Sequence, residues 1–347
     1  MSQRLTSVLG WLTLVLVIGA LWVLFGEDPT KNAGERGGPL FDDGATRFEA
    51  AEKLSLTSGG DVAGLVKVGD TWVVATRDDF PADAAKVRAL LRGLILSKRR
   101  EPKTGNLKRF DQLGLGEDGL ALLVSNQTQE LASLKVGKRS EGATGRSLTY
   151  VYRDGDSRAW LVSDLPALTA QSSDWLADIL SDIDDARLKS ASFPGYTLER
   201  SAQGMVPALS GLQDGEEMEP DWKRTGAFRT LGRLAYQDVK ALGNPLYDPL
   251  TTVTLDSFDG LRLTFTVYEL NDGADALWFA LKADYDGARA VSDSAETTVI
   301  EGAPADGASE AAALNAAATG WLFKATDAMK DVLTRGRDGY ITAAPAN

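Results

Sequence analysis

The order hairpin, helix, β-meander occurs twice along this chain, first over about residues 50–163 and again over about 189–284. In the first pass Glu52–Thr57, Gly64–Val68 and Thr71–Thr76 read as strands, the last two joined by the turn pair Gly69-Asp70. Phe80-Pro81-Ala82 breaks that pattern, and Asp83 stands as N-cap before Val87, Leu90, Leu91, Leu94 and Ile95, whose spacing makes one helix face. A shorter helical turn through Leu107, Phe110 and Leu113 ends at Gly114. Strands follow at Leu120–Ser125, Leu131–Val136, Ser147–Arg153 and Ala159–Ser163, with a helix over Ser173–Ser181. The second pass gives strands at Tyr196–Arg200 and Met205–Leu209, a helix over Trp222–Leu242, and strands at Thr251–Leu255, Leu261–Tyr268 and Ala276–Ala283. Val151-Tyr152, Asp154-Gly155 and Ala159-Trp160 parallel Val267-Tyr268, Asp272-Gly273 and Ala276-Leu277-Trp278. Two units are too few to stack as a solenoid, so the expected fold is α+β, with two repeated lobes of antiparallel sheet and packed helices.

Ahead of the lobes, Val8–Phe25 is almost wholly apolar, and with Leu5 it reaches the length that spans a bilayer as a helix. Arg4 precedes this run while Glu27 and Asp28 follow it, so the positive-inside tendency places the N-terminus in the cytoplasm and the bulk of the chain outside. The expectation is a single-pass protein of a bacterial inner membrane, held by residues 5–25, with its folded part in the periplasm. The predicted organisation is a transmembrane anchor over 1–25, a linker over 26–45, and lobes over 46–186 and 187–300. An Ala/Gly-rich linker over 301–320 follows, whose middle, Ala308–Ala318, fits a poorly anchored helix as well as a mobile linker, and then a C-terminal strand and helix over 321–347 docking on the second lobe.

Composition removes whole classes of chemistry. The 347 residues include no cysteine and no histidine, which excludes thiolate nucleophiles, zinc–sulfur sites and any Ser-His-Asp triad. A net charge of −12 argues against a nucleic-acid partner. Gly137-Lys138 lacks the earlier glycine of a phosphate-binding loop, since Ala132 stands there. No catalytic, cofactor-binding or metal-binding residues are assigned on these grounds. Carboxylates are the remaining resource, clustered at Asp182, Asp184 and Asp185 and at Asp214, Glu216, Glu217 and Glu219. Neither run has calcium-loop spacing, and acidic loops of an acidic protein are usually solvated. One basic group stands out, Lys98, Arg99, Arg100, Lys103, Lys108 and Arg109, as a contact for a partner or for anionic lipid. Because exposed charges contribute little to stability, replacing Arg99, Arg100 and Lys103 together by Ser should leave folding almost unchanged.

Trp72, Phe80-Pro81-Ala82-Asp83, Val87, Leu90-Leu91, Leu113-Gly114-Leu115, Leu134-Lys135-Val136-Gly137, Tyr150-Val151 and Trp160-Leu161-Val162-Ser163 together resemble the bacterial domain-of-unknown-function 4340 family. Tyr152 between Val151 and Arg153 departs from the shorter run of that family. The resemblance brings no catalytic residues. It implies an N-terminal membrane helix and a gene context beside gliding-motility-type ABC transporter components. The leading expectation is therefore a non-enzymatic, membrane-anchored accessory or scaffold subunit of such a complex, with other membrane subunits as partners. A periplasmic lipid- or glycan-binding module and a carboxylate-based cell-envelope hydrolase are the alternatives.

Overall fold

In β1 (Lys53–Ser58) every second residue is apolar, so Leu54 and Leu56 turn to one buried side while Ser55 and Thr57 turn away. The computed structural model describes residues 35–141, 147–243, 247–271, 275–290 and 300–343, where such strands build large antiparallel sheets with few helices. The protein is α+β. Contacts divide it into two units, Met1–Trp175 and Leu176–Asn347.

In the first unit β1 is followed by β2 (Asp61–Val68), β3 (Thr71–Val74), β4 (Phe80–Pro81), β5 (Lys98–Pro102), β6 (Leu120–Ser125), β7 (Glu130–Glu141), β8 (Ser147–Arg153) and β9 (Trp160–Ser163). They form one sheet in the order β4-β3-β2-β1-β6-β7-β8-β9-β5. Among the described residues three helices accompany it, α1 (Gly44–Glu49), α2 (Ala84–Leu96) and α3 (Phe110–Leu113). The Asp83 carboxylate caps α2 as expected, accepting from the N–H groups of Ala85 at 2.7 Å and Lys86 at 3.2 Å. The five-residue apolar face of α2 divides. Val87, Leu90 and Leu94 are buried, each worth about 1.5–3 kcal/mol, whereas Leu91 and Ile95 are only half-buried. Helix α3 stops at Gly114, whose φ of 73° is left-handed.

The second unit holds β10 (Leu188–Phe193), β11 (Tyr196–Glu199), β12 (Ala208–Leu209), β13 (Glu216–Met218), β14 (Tyr236–Ala241), β15 (Thr251–Ser257), β16 (Leu261–Asn271), β17 (Asp275–Tyr285), β18 (Trp321–Ala325) and β19 (Ile341–Ala343). Its main sheet runs β12-β11-β10-β15-β16-β17-β18-β14, and β13 pairs separately with β19. Adding nine to each strand number of the first sheet, from β3 through β5, reproduces this order. The last strand of each sheet is also closed in the same way. Outside β5, Gly37 N–H donates to Arg99 O at 2.7 Å and Leu40 N–H to Ser97 O at 2.7 Å; outside β14, Tyr236 N–H donates to Asp178 O at 3.4 Å, beside an Ile179–Ala235 bridge. Covering an edge in this way removes a template for unwanted strand pairing.

Several expectations are corrected. Residues 37–45, assigned to a linker, belong to the first unit, because Leu40 and Phe41 are buried and their backbone closes the β5 edge. The break between units falls after Trp175 and not near 186, since 178–183 serve the β14 edge. For the same reason Ser173–Ser181 holds only a 3-10 turn, Ser172–Trp175. The helix expected over Trp222–Leu242 is α4 (Asp221–Gly232) followed by strand β14. Gly232 stands where a Cβ would meet Leu188 at 2.8 Å, and Leu234 turns the chain with φ 47°, so the helix cannot continue.

Residues 307–318, assigned to a linker, form α5 (Gly307–Ala318), because alanine is the strongest helix former and small enough for close packing. Ala311, Leu314 and Ala318 are buried, and the Asn315 amide bonds both backbone groups of Ala283 in β17 at 2.8 and 2.9 Å. The Asp306 cap accepts from Ser309, which holds its carboxyl below the usual range. The C-terminal strand and helix both form, as β18 and α6 (Asp327–Thr334). Strand β18 lies inside the sheet between β17 and β14. Among the described residues no helix is long and apolar enough to cross a membrane, and the anchor expected over 1–25 lies outside them.

Near the C-terminus, Tyr196 donates its hydroxyl to Arg335 O at 2.6 Å and its ring centroid stands 5.7 Å from that of Tyr340. Burial pushes both phenols above their usual value. A raised phenol pKa means that the folded state keeps a proton the unfolded chain would lose near pH 10. The contribution is complete below about pH 10 and is lost as pH rises further. Melting of the second unit should therefore fall steeply above about pH 10, and Tyr196→Phe with Tyr340→Phe should flatten the fall. Identical alkaline slopes for variant and parent would disprove this coupling.

Candidate partner-binding surface

The six cations singled out in the sequence lie on β5 and the turn that follows it, and the fold uses them differently. Arg99 has a side chain only 11% exposed, with its guanidinium 3.4 Å from Glu35, 3.7 Å from Asp156 and 5.5 Å from the centroid of the buried Trp160 ring. Asp156 also binds Arg153 at 2.5 Å, and Arg153 donates to Leu40 O at 2.9 Å. Arg99 and Arg153 thus fasten the incoming chain to the sheet. Arg100 donates from Nε to Ser163 Oγ at 3.0 Å. Lys103 pairs with Glu101 at 2.8 Å, which holds that carboxyl below its usual range, and its ammonium lies 5.8 Å from the centroid of the Tyr150 ring. Lys98, Lys108 and Arg109 are exposed, and no ion pair among the described residues involves them. They are the accessible part of the group.

The acidic clusters are largely engaged. Glu216 binds Arg337 at 2.5 Å and accepts from Gln213 N–H at 2.8 Å, and these bonds hold its pKa at about 2. It is therefore ionised near neutrality and has no proton to donate. Glu219 pairs with Lys223 at 3.0 Å, Asp185 with Arg200 at 2.8 Å, and Asp184 caps a 3-10 turn through Ala186 N–H. No group of three or more potential metal-ligating side chains occurs among the described residues.

Sequence reasoning missed a cleft of about 620 Å³ in the first unit, lined by Leu107, Phe110, Asp111, Asp118, Lys135 and Tyr152 among others. It adjoins the basic group, because Lys108 and Arg109 sit in the turn Leu107–Arg109 that leads into α3. The periodic signal was visible at Leu107 and Phe110. What sequence could not supply was the return of β7 and β8, which bring Lys135 and Tyr152 to the same place. The surface thus combines exposed cations, an acidic rim and a partly apolar wall.

Two sheets of matching strand order, each closed by its own incoming segment, make this an α+β protein with two similar units. The family profile described as a domain of unknown function (DUF4340) matches residues 72–245, half of the chain, from β3 to just beyond β14. The chain belongs to this family. No curated protein matches it. No solved structure matches it either.

Proposed function

We propose that this protein is a membrane-anchored, extracytoplasmic scaffold, an accessory subunit that docks on other subunits of an ABC-transporter-type complex. The anchor is residues 1–25, and the two lobes are an internal duplication. The observation that carries the docking role is the set of exposed cations Lys98, Lys108 and Arg109, the last two in the turn beside the cleft at Phe110, on a chain of net charge −12. A basic island on an acidic background orients approach, since like charge elsewhere disfavours wrong encounters. Matching strand orders support the duplication. The apolar run in the sequence supports the anchor.

The test is recovery of partner subunits from native membranes in mild detergent by the full-length protein and by its Lys98→Ser, Lys108→Ser, Arg109→Ser variant. At about 0.5 kcal/mol per exposed charge, the triple variant should bind roughly tenfold more weakly at low salt. Added salt should weaken the parent towards the variant. Equal recovery of the same subunits by both proteins at low salt would remove these cations from the docking surface.

A further inference from the structure

Helix α2 carries Lys86, Arg88 and Arg92 and no carboxylate, in a chain whose acidic side chains outnumber its basic ones by 49 to 37. Lys86 lies 3.9 Å from the Asp83 cap. Arg88 and Arg92 are exposed one turn apart, and no ion pair among the described residues involves either. Like charges at that spacing disfavour a helix slightly, so helix stability does not explain the pair. Between α1 and α2 runs an apolar groove of about 660 Å³, lined by Phe48, Leu91 and Ile95 with Arg88 and Arg92 at its side and Glu49 on α1. Leu96, at the C-terminal end of α2, is 45% exposed.

The path of the chain says what faces this groove. The polypeptide joins the unit next to it, where Gly37 and Leu40 bond the backbone of Arg99 and Ser97 just past α2, and Gly44 packs on the backbone of Ile95. The apolar run of the sequence ends at Phe25, so only residues 26–36 separate it from Gly37. Eleven residues span at most about 40 Å even when fully extended. A unit of roughly 140 residues has a radius of gyration of about 14 Å, so a connection of that length favours orientations in which the side near Gly37 is turned towards the bilayer.

We propose that the α1–α2 groove faces the membrane and seats an anionic phospholipid. Its glycerol and upper acyl carbons rest on Phe48, Leu91 and Ile95, and its phosphate lies between Arg88 and Arg92. Arginine stems cover apolar surface while their guanidinium groups stay at headgroup level, and the planar fork suits a phosphate. The inference rests on the membrane-anchored reading above.

The absence of cysteine allows a clean test, because one introduced thiol labels one place. The full-length chain is placed in lipid nanodiscs with a polarity-sensitive fluorophore on Ala89→Cys, which lines the groove, or on Val68→Cys, an exposed control at the β2–β3 turn. In discs containing phosphatidylglycerol the Ala89 probe should shift to the blue and be quenched by brominated phosphatidylcholine, while the Val68 probe should not. Arg88→Gln and Arg92→Gln should each lower the docked-to-undocked ratio on the order of fivefold, and discs of phosphatidylcholine alone should do the same. A probe at Ala89 that stays in water in both lipids overturns the proposal but leaves the anchor standing, provided an alkaline wash leaves the chain in the disc. A chain that washes off overturns both. A probe that is dry yet unquenched means that protein covers the groove, and this also overturns the proposal.

Discussion

Replacing Arg187 by Met should cost the second unit about 3–5 kcal/mol of stability, measured by urea unfolding of the purified protein. Arg187 is 3% exposed and holds two carboxylates at once, Asp259 at 2.8 Å and Glu310 at 2.7 Å. Burial alone would lower the guanidinium pKa, but hydrogen bonds to Glu310 and Asp259 outweigh it and push the value up, so the cation persists at every accessible pH. Removing it leaves two mostly buried carboxylates facing each other without a counter-charge. Glu310 is also the link between α5 and the segment leading into β10, so the loss should release α5 first. Glu310→Gln keeps one ion pair and should cost less, about 1–3 kcal/mol. The triple change Arg187→Met, Asp259→Leu, Glu310→Leu should recover much of the loss, because apolar groups of similar volume often replace buried ions without penalty. An Arg187→Met transition within about 1 kcal/mol of the parent would show that the triad is incidental.

That triad also marks where sequence reading stops. Asp259 and Glu310 lie 72 and 123 positions from Arg187, and nothing local signals their convergence. What was legible was short-range: alternation in β1, β6 and β8, the Asp83 cap and the Gly114 stop. Errors arose where two readings share a residue pattern. Phe228, Leu231, Leu234 and Ala235 fit a helical face, yet the close approach of Gly232 to Leu188 and the left-handed turn at Leu234 end the helix, and the chain then pairs with β18. The alanines of 308–318 fit a loose linker by composition, yet their small side chains are what lets α5 lie close to β17. The basic group was found, but not its division into buried and exposed members, because the partners of Arg99 come from positions 35 and 156. The α1–α2 groove was half legible, since Leu91 and Ile95 were on the apolar face while their exposure depends on where α1 ends.

Arg99→Ser should destabilise the first unit by about 2–3 kcal/mol, combining an orphaned buried carboxylate oxygen with the loss of a cation over an indole. This reverses the expectation that Arg99, Arg100 and Lys103 can be removed together with little effect on folding. The Arg99 guanidinium is 3.7 Å from Asp156 Oδ2, too far for a hydrogen bond but close enough for charge attraction, and Asp156 is only 9% exposed. Arg153 still holds Asp156 Oδ1 in the variant, so the cost stays below that of a fully stripped buried ion. Glu35 and the Trp160 face lose the same cation, loosening the segment 35–40 that closes the β5 edge. Arg99→Lys restores the charge without the planar fork and should recover part of the loss. By contrast Lys98→Ser, Lys108→Ser and Arg109→Ser each change exposed side chains and should stay within about 0.5 kcal/mol of the parent. Urea midpoints for the five single variants separate the two classes, with recovery of membrane partners as the second readout. If Arg99→Ser unfolds with Lys98→Ser, the cation is dispensable to the fold, and its place on β5 returns to the proposed docking surface.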